Sequence, residues 1–233
     1  TSYGHKLNIG IKRAQGKYIT ILESDDRMLP ETVKELYGIA EKFDVDVVDA
    51  DYYEFFSVKG KEYKNLQRKC YDQVCYNILI DNTIKENKRI AVNGIWTGLY
   101  KKSFLLQENI FLNESKGASY QDLSFLFLTS FLAKSVYHLD VPFYQYRIDN
   151  VESSVKDDNK IFEIVGECEF LKENLKKRNI LDKTVWKRYY VRKYTAFYWN
   201  YCRLSLRARE LFLNRYLEEL RQDEKKGLIN RYM

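Results

Sequence analysis

The stretch YITILESDDRMLP, residues 18–30, constrains this chain more than any other. Tyr18 to Leu22 is a short, β-branched apolar run of the kind that forms a buried strand. Glu23, Ser24, Asp25 and Asp26 follow at once, and Pro30 suits the first turn of a helix through ETVKELYGIAEKF. A strand that ends in carboxylates and turns into a helix is an α/β arrangement, and open α/β sheets bind ligands at the carboxyl ends of strands. Helix capping explains the acids poorly, because Pro30 puts the cap near Leu29, beyond Asp26. Adjacent carboxylates repel, so they sit together cheaply only on an open surface or around a cation. Two short acids at a strand tip can hold Mg²⁺ or Mn²⁺, with ligand phosphates completing the shell. Spacing alone leaves metal site and solvated loop equally open.

The flanking sequence repeats the α/β rhythm. Lys6 to Ala14 has helical spacing and closes at Gly16, and Val45 to Phe56 is a second strand. Ser57 to Lys69 is polar and basic, a hairpin or loop, and Tyr71 to Asn87 has a helical pattern. Gly94 to Lys102 is expected as a strand with a short helix from Ser103, and SVYHLDVPFYQYRID returns as extended chain. The run LSFLFLTSFLA, bounded by Asp122 and Lys134, is about half of the roughly 20 residues a membrane span needs, so a buried helix is expected. After about Val155 the pattern becomes three amphipathic helices rich in Lys, Arg and Tyr. The chain therefore divides into an α/β part, 1–155, and a helical part, 156–233.

Composition excludes little but is consistent. With 45% hydrophobic and 31% charged residues, the chain is globular rather than disordered. A net charge of +6 fits anionic partners, such as phosphorylated substrates or an anionic membrane surface, without choosing among them. Cys70, Cys75, Cys168 and Cys202 form no CxxC pair or Cys/His cluster and read as reduced thiols. With no signal-peptide pattern, the expected location is cytoplasmic, with a peripheral site at the inner face of the cell membrane as an extension.

Three blocks carry a family resemblance. GHKLNIGIKRAQGKYITILESDD resembles a segment of family 2 inverting nucleotide-sugar glycosyltransferases of the GT-A fold. Asn8 and Gly10 stand before an A-x-G-x-Y-I pattern matched by Ala14, Gly16, Tyr18 and Ile19, and Ser24, Asp25 and Asp26 match an acidic motif. NGIWTGLYKKSFLLQENIFLNESKGASYQD is similar to the family's acceptor-side half, and YQYRIDNVESSV to a closing segment of bacterial members. The resemblance covers about residues 4 to 155. It implies a GT-A, Rossmann-like mixed sheet flanked by helices, entered after its first strands, with a C-terminal helical region. On that reading the chain is a fragment of a longer enzyme that builds bacterial surface polysaccharide or a related glycan.

The resemblance also implies roles. Asp26, with Asp25, would hold Mn²⁺ or Mg²⁺ on the donor diphosphate, and Asp122 would be the general base. At the start of an apolar helix, Asp122 is expected to have its charged form favoured by the helix dipole. Asn8 and Asp25 are donor-binding candidates, and Lys6 is another, because Leu7 stands where many members carry Arg. Trp96, Tyr120 and Gln121 are acceptor-side candidates. Gln121 replaces a common Glu and cannot take a proton, and Trp96 is equally suited to core packing. Arg147, Ser153 and Ser154 could reach a phosphate or serve the loop, and His138 reads as a structural strand residue. Asp44, Asp46, Asp49 and Asp51 read as a solvated or cleft-facing row in which Asp51 is the one of interest. The expected partners are a nucleotide-sugar donor, probed first as UDP, and a glycan or lipid-linked acceptor. The basic aromatic stretch Trp186 to Arg203 suits a packed bundle or a membrane-surface contact; nucleic acid is not expected. Two rivals remain: a non-catalytic membrane- or partner-binding module on a degenerate fold, and a metal-dependent nucleotidyltransferase.

Overall fold

The computed structural model describes residues 2–68, 76–83, 94–150, 158–227 and 229. Cys70, Cys75, Ser153, Ser154 and most of the helix expected over 71–87 lie outside them. Helix α1 (Tyr3–Arg13) leads to β1 (Tyr18–Ile19), β2 (Arg27–Met28), α2 (Pro30–Phe43), β3 (Val47–Val58), β4 (Lys61–Gln67) and β5 (Leu79–Asp81). Then come β6 (Gly98–Lys101), α3 (Lys102–Gln107), α4 (Gln121–Leu132) and β7 (Ser135–Arg147). Three long helices close the chain: α5 (Glu163–Lys177), α6 (Lys183–Arg203) and α7 (Leu206–Lys225).

The strands form one mixed sheet of order β1-β6-β3-β7-β2, with β4 hydrogen-bonded to β3 and β5 to β7. Among the named strand pairs β3 and β7 run parallel and the others are antiparallel. The sheet is therefore mixed and flanked by helices, as the resemblance implies. The expected hairpin after Ser57 is β3–β4, paired from Tyr52↔Gln67 to Val58↔Lys61. Leu79–Asp81, expected as helix, is instead a strand against β7.

Alternation along the strands sorts two cores. Val48 and Ala50 of β3, Leu99 of β6 and Tyr137 of β7 pack with Leu36 and Ala40 of α2. Val47, Tyr100 and Val136, one residue away on each strand, join the cluster formed by α1, α3, α4 and the C-terminal helices. That single cluster runs from Ile11 to Ile229 and crosses the composition boundary near 155. Helix α4 is buried at Leu123, Phe125, Leu126 and Leu128, as its apolar run predicts. Among the described residues no helix is long and apolar enough to cross a membrane.

One register detail positions the site. β1 and β2 are the two edges of the main strand order, so residues 20–26 carry the chain from one edge to the other. Pairing stops at Ile19, and Leu22 is 55% exposed, so the expected five-residue strand is shorter than its apolar pattern. The acidic stretch thereby leaves its own strand and comes to rest against the end of β7.

Candidate functional site

The end of β7 grips the acidic loop residue by residue. Tyr144 donates its hydroxyl to Asp26 Oδ2 at 2.8 Å and accepts the Glu23 N–H at 2.9 Å. The Arg147 N–H reaches Asp26 Oδ1 at 2.8 Å, and Asn150 Nδ2 reaches Asp25 Oδ2 at 2.5 Å. Tyr3 of α1 donates to Glu23 Oε1. Burial pushes the Asp26 carboxyl above its ordinary range; the Arg147 N–H and Tyr144 hydroxyl pull it down, and the charge of Asp25 pushes it up. Glu23 is likewise raised, first by burial and further by the charges of Asp26, Asp25 and Asp122.

Asp122 thus belongs to the same electrostatic neighbourhood, although 96 positions separate it from Asp26 in the chain. It sits in the first turn of α4, after Tyr120 in the left-handed region at φ 62°. The backbone N–H groups at the helix start do favour its charged form, but burial outweighs them. Burial raises the Asp122 carboxyl, and Arg192 of α6 and the backbone N–H groups of the helix start offset only part of that. A base candidate held partly desolvated is more basic than an exposed Asp, which suits proton removal.

The other predicted residues separate. Trp96 stacks on Tyr144 with ring centroids 4.7 Å apart and on Tyr146 at 5.0 Å, and meets Tyr52 edge-on at 4.8 Å. It is partly exposed and lies one ring away from the Asp26 contact, so it combines packing with a place beside the acids. Tyr120 faces the C-terminal helices: its hydroxyl donates to Asn200 Oδ1 at 2.5 Å and accepts from Arg203 Nε at 2.7 Å. Gln121 is 1% exposed and spends its amide on the preceding loop, taking the Ser119 N–H at 2.6 Å and donating to Ser115 Oγ at 3.0 Å. Asn8 is also committed, bonding Leu112 through both its N–H and C=O and Glu114 through Nδ2. Lys6 is exposed on α1.

Asp49 and Asp51 correct the solvated-row expectation. Both are buried, Asp49 against Thr97 Oγ1 at 2.9 Å and His138 Nδ1 at 3.2 Å, and Asp51 against the Tyr76 hydroxyl at 2.7 Å. His138 is the buried strand residue that its context suggests. The Arg147 side chain pairs with Asp149 at 2.7 Å, and it is the Arg147 backbone that serves the site. Sequence reasoning gave no role to Tyr3, Tyr144 and Asn150. The last two stand in the quoted YQYRIDNVESSV block, which resembles the family's closing segment, and no local signal ties that block to the acidic loop.

Asp25 and Asp26 are the residues suited to a cation. Oδ1 of Asp25 accepts no hydrogen bond among the described residues, and each Asp26 oxygen accepts a single one, leaving lone pairs for a metal. Among the described residues no group of three or more His, Cys, Asp or Glu is arranged to hold a metal by itself. A pair of carboxylates that needs a ligand's phosphates to finish the shell fits Mg²⁺ better than a closed protein cage.

Residues 3–104, which include the acidic loop, match the profile of Glycosyl transferase family 2. This segment is similar to family 2 glycosyltransferases. Glycosyltransferase GlyA of Streptococcus pneumoniae serotype 4 is 26% identical over 145 residues, covering 60% of this chain and 20% of that protein. EpsH of Bacillus subtilis is 27% identical over 162 residues, covering 69% of this chain and 46% of its own. The chain thus spans less than half the length of these two relatives. A crystal structure of S. aureus TarS superposes with a TM-score of 0.48 at 16% identity, covering 97% of this chain and 72% of that one. Within the family 2 segment lie Tyr3, Asn8, the acidic loop and Trp96; Asp122, Tyr144 and Asn150 lie beyond it.

Proposed function

We propose that this chain is part of an inverting glycosyltransferase that moves a sugar from a nucleoside-diphosphate donor, taken first as a UDP-sugar, to a hydroxyl of a glycan or lipid-linked acceptor. The observation that carries the reading is the meeting of Glu23, Asp25 and Asp26 with the end of β7, within electrostatic reach of Asp122. Transfer with inversion needs two things: charge relief at the departing diphosphate and a base at the incoming hydroxyl. Asp25 and Asp26 would hold a divalent cation, which when bound supplies Lewis-acid stabilisation of the leaving diphosphate. Asp122 takes the acceptor hydroxyl's proton as that oxygen bonds to the anomeric carbon; the bond from that carbon to the diphosphate oxygen breaks, its electron pair leaving with the diphosphate. Trp96, with Tyr146 beside it, offers an aromatic face to a sugar ring. The family 2 match and the glycosyltransferase relatives support a role in bacterial surface-polysaccharide synthesis. At the cytoplasmic membrane face, Tyr198 and Trp199, 62% and 48% exposed on α6, would supply the peripheral contact, with the exposed Lys187 about three turns earlier on the same helix.

Calorimetric titration of UDP with and without Mn²⁺, repeated on Asp26→Ala, tests the reading. Mn²⁺-dependent binding that disappears in the variant is expected. Binding indifferent to both Mn²⁺ and Asp26 would leave the acidic loop without its assigned role and favour a non-catalytic module.

A further inference from the structure

One buried carboxyl has no part in the transfer chemistry. Glu167 of α5 is 1% exposed, and its Oε1 accepts from Asn113 Nδ2 at 2.7 Å and Ser115 Oγ at 3.3 Å. Its Oε2 is buried and has no hydrogen-bond partner among the described residues. Burying half a carboxyl unsatisfied is costly, so the position calls for a reason.

Its location supplies one. Asn113 and Ser115 belong to the loop 112–120 that delivers Asp122. The α/β part holds this loop through Asn8 at Leu112 and Gln121 at Ser115, and the Gly117 carbonyl accepts the Tyr3 N–H at 2.9 Å. The C-terminal helices hold it at two further points. Glu167 grips residues 113 and 115, while Asn200 and Arg203 grip Tyr120, whose φ of 62° is rare for a bulky residue. The helices after the composition boundary thus set the approach to the candidate base.

We propose that Glu167 is a positioning residue for Asp122: it fixes the 113–115 turn and, by gaining or losing a proton, changes the charge against which Asp122 works. This rests on reading Asp122 as the base. Burial pushes the Glu167 carboxyl up to about 7; Asn113 and Ser115 pull it down, and the charges of Asp122 and Glu163 push it up. Of the other groups nearby, Glu114 is turned to His5 and Asn8, the Cys168 thiol is pushed up to about 12 by burial, and Arg192 acts on Asp122 itself. Ionised Glu167 disfavours ionised Asp122 and makes it the stronger base. Transfer should therefore rise about threefold or more as pH passes through the Glu167 ionisation.

Glu167→Gln keeps an acceptor for Asn113 and Ser115 and abolishes the titration. In this variant the step in the transfer profile disappears and the Asp122 carboxyl, followed by carbon-13 NMR, titrates at lower pH on its alkaline limb. Its Tm advantage over the unaltered protein grows from pH 5 to pH 8, because ionising a carboxyl of raised pKa costs the folded state above its ordinary range. Asn113→Ala, a milder change, should move the step to higher pH by removing a donor that favours the ionised form. An Asp122 titration identical in the unaltered protein and Glu167→Gln would overturn the proposal, whatever the Tm difference does. If no donor sugar is transferred yet the Asp122 titration responds, the transferase reading fails while the coupling of Glu167 to Asp122 stands.

Discussion

Two of the acid clusters among the described residues are built oppositely. In the C-terminal helices, Lys193 is 1% exposed and donates to Glu219 at 2.8 Å and Asp223 at 2.6 Å. Tyr194 adds a hydroxyl to Asp223 at 2.7 Å, and Arg215 binds the second oxygen of Glu219. Two cations face two carboxylates, so the charge is settled within the protein. In the acidic loop, Glu23, Asp25 and Asp26 are held by hydroxyls, an amide and backbone N–H groups, and among the described residues none of the three forms an ion pair. Burial raises the carboxyls of Glu23 and Asp26 there. A self-neutralised cluster serves the fold; one that leaves its charge unmet is ready for a cation or a polar ligand from outside.

The comparison breaks first at Asp122. Asp122→Asn removes the proton acceptor and keeps the side chain's shape, so sugar transfer should fall by about 10²–10⁴-fold. Mn²⁺-dependent UDP binding, measured on the same sample, should stay close to that of the unaltered protein. Near-normal turnover in the variant would move the base elsewhere.

The next effect belongs to the bundle. Lys193→Met leaves Glu219 and Asp223 buried without their shared cation, a change that typically costs about 3–5 kcal/mol. For a chain of this size that is on the order of 10 °C in Tm. Thermal unfolding checks it, and adding Glu219→Gln with Asp223→Asn should restore part of the loss. A Lys193→Met protein as stable as its parent would mean that the two clusters do not differ as described.

Much of the fold was legible because its signals are local. Pro30 set the start of α2, the apolar run fixed α4 as a buried helix, and the Lys/Arg/Tyr pattern marked the three closing helices. Strand neighbours were less legible. The same alternation suits parallel and antiparallel pairing, and Leu79–Asp81 is too short for its period to separate strand from helix. At the site, Asp25, Asp26 and Asp122 were readable as acids at element ends. Their holders were not, since Tyr144, Asn150 and Glu167 act through contacts more than 50 positions away in the chain. Asn8 and Gln121 show the converse: polar residues next to a site can be wholly spent on the loop that builds it.

The finest distinction lies in a single hydroxyl. Tyr144→Phe keeps the ring against Trp96 while removing the group that accepts the Glu23 N–H and donates to Asp26. The lost bonds are worth about 1 kcal/mol, so UDP affinity in Mn²⁺ should weaken by less than about tenfold at pH 8. The pH dependence carries more information. The Tyr144 hydroxyl is one of two donors that hold the Asp26 carboxyl down against burial, so its removal raises that carboxyl further. A carboxyl of raised pKa takes up a proton at higher pH, and a protonated Asp26 cannot hold the cation. The variant's deficit should therefore widen as pH falls from 8 to 5.5. A deficit that stays constant over that range would make Tyr144 a packing residue and return the grip on Asp26 to the Arg147 N–H alone.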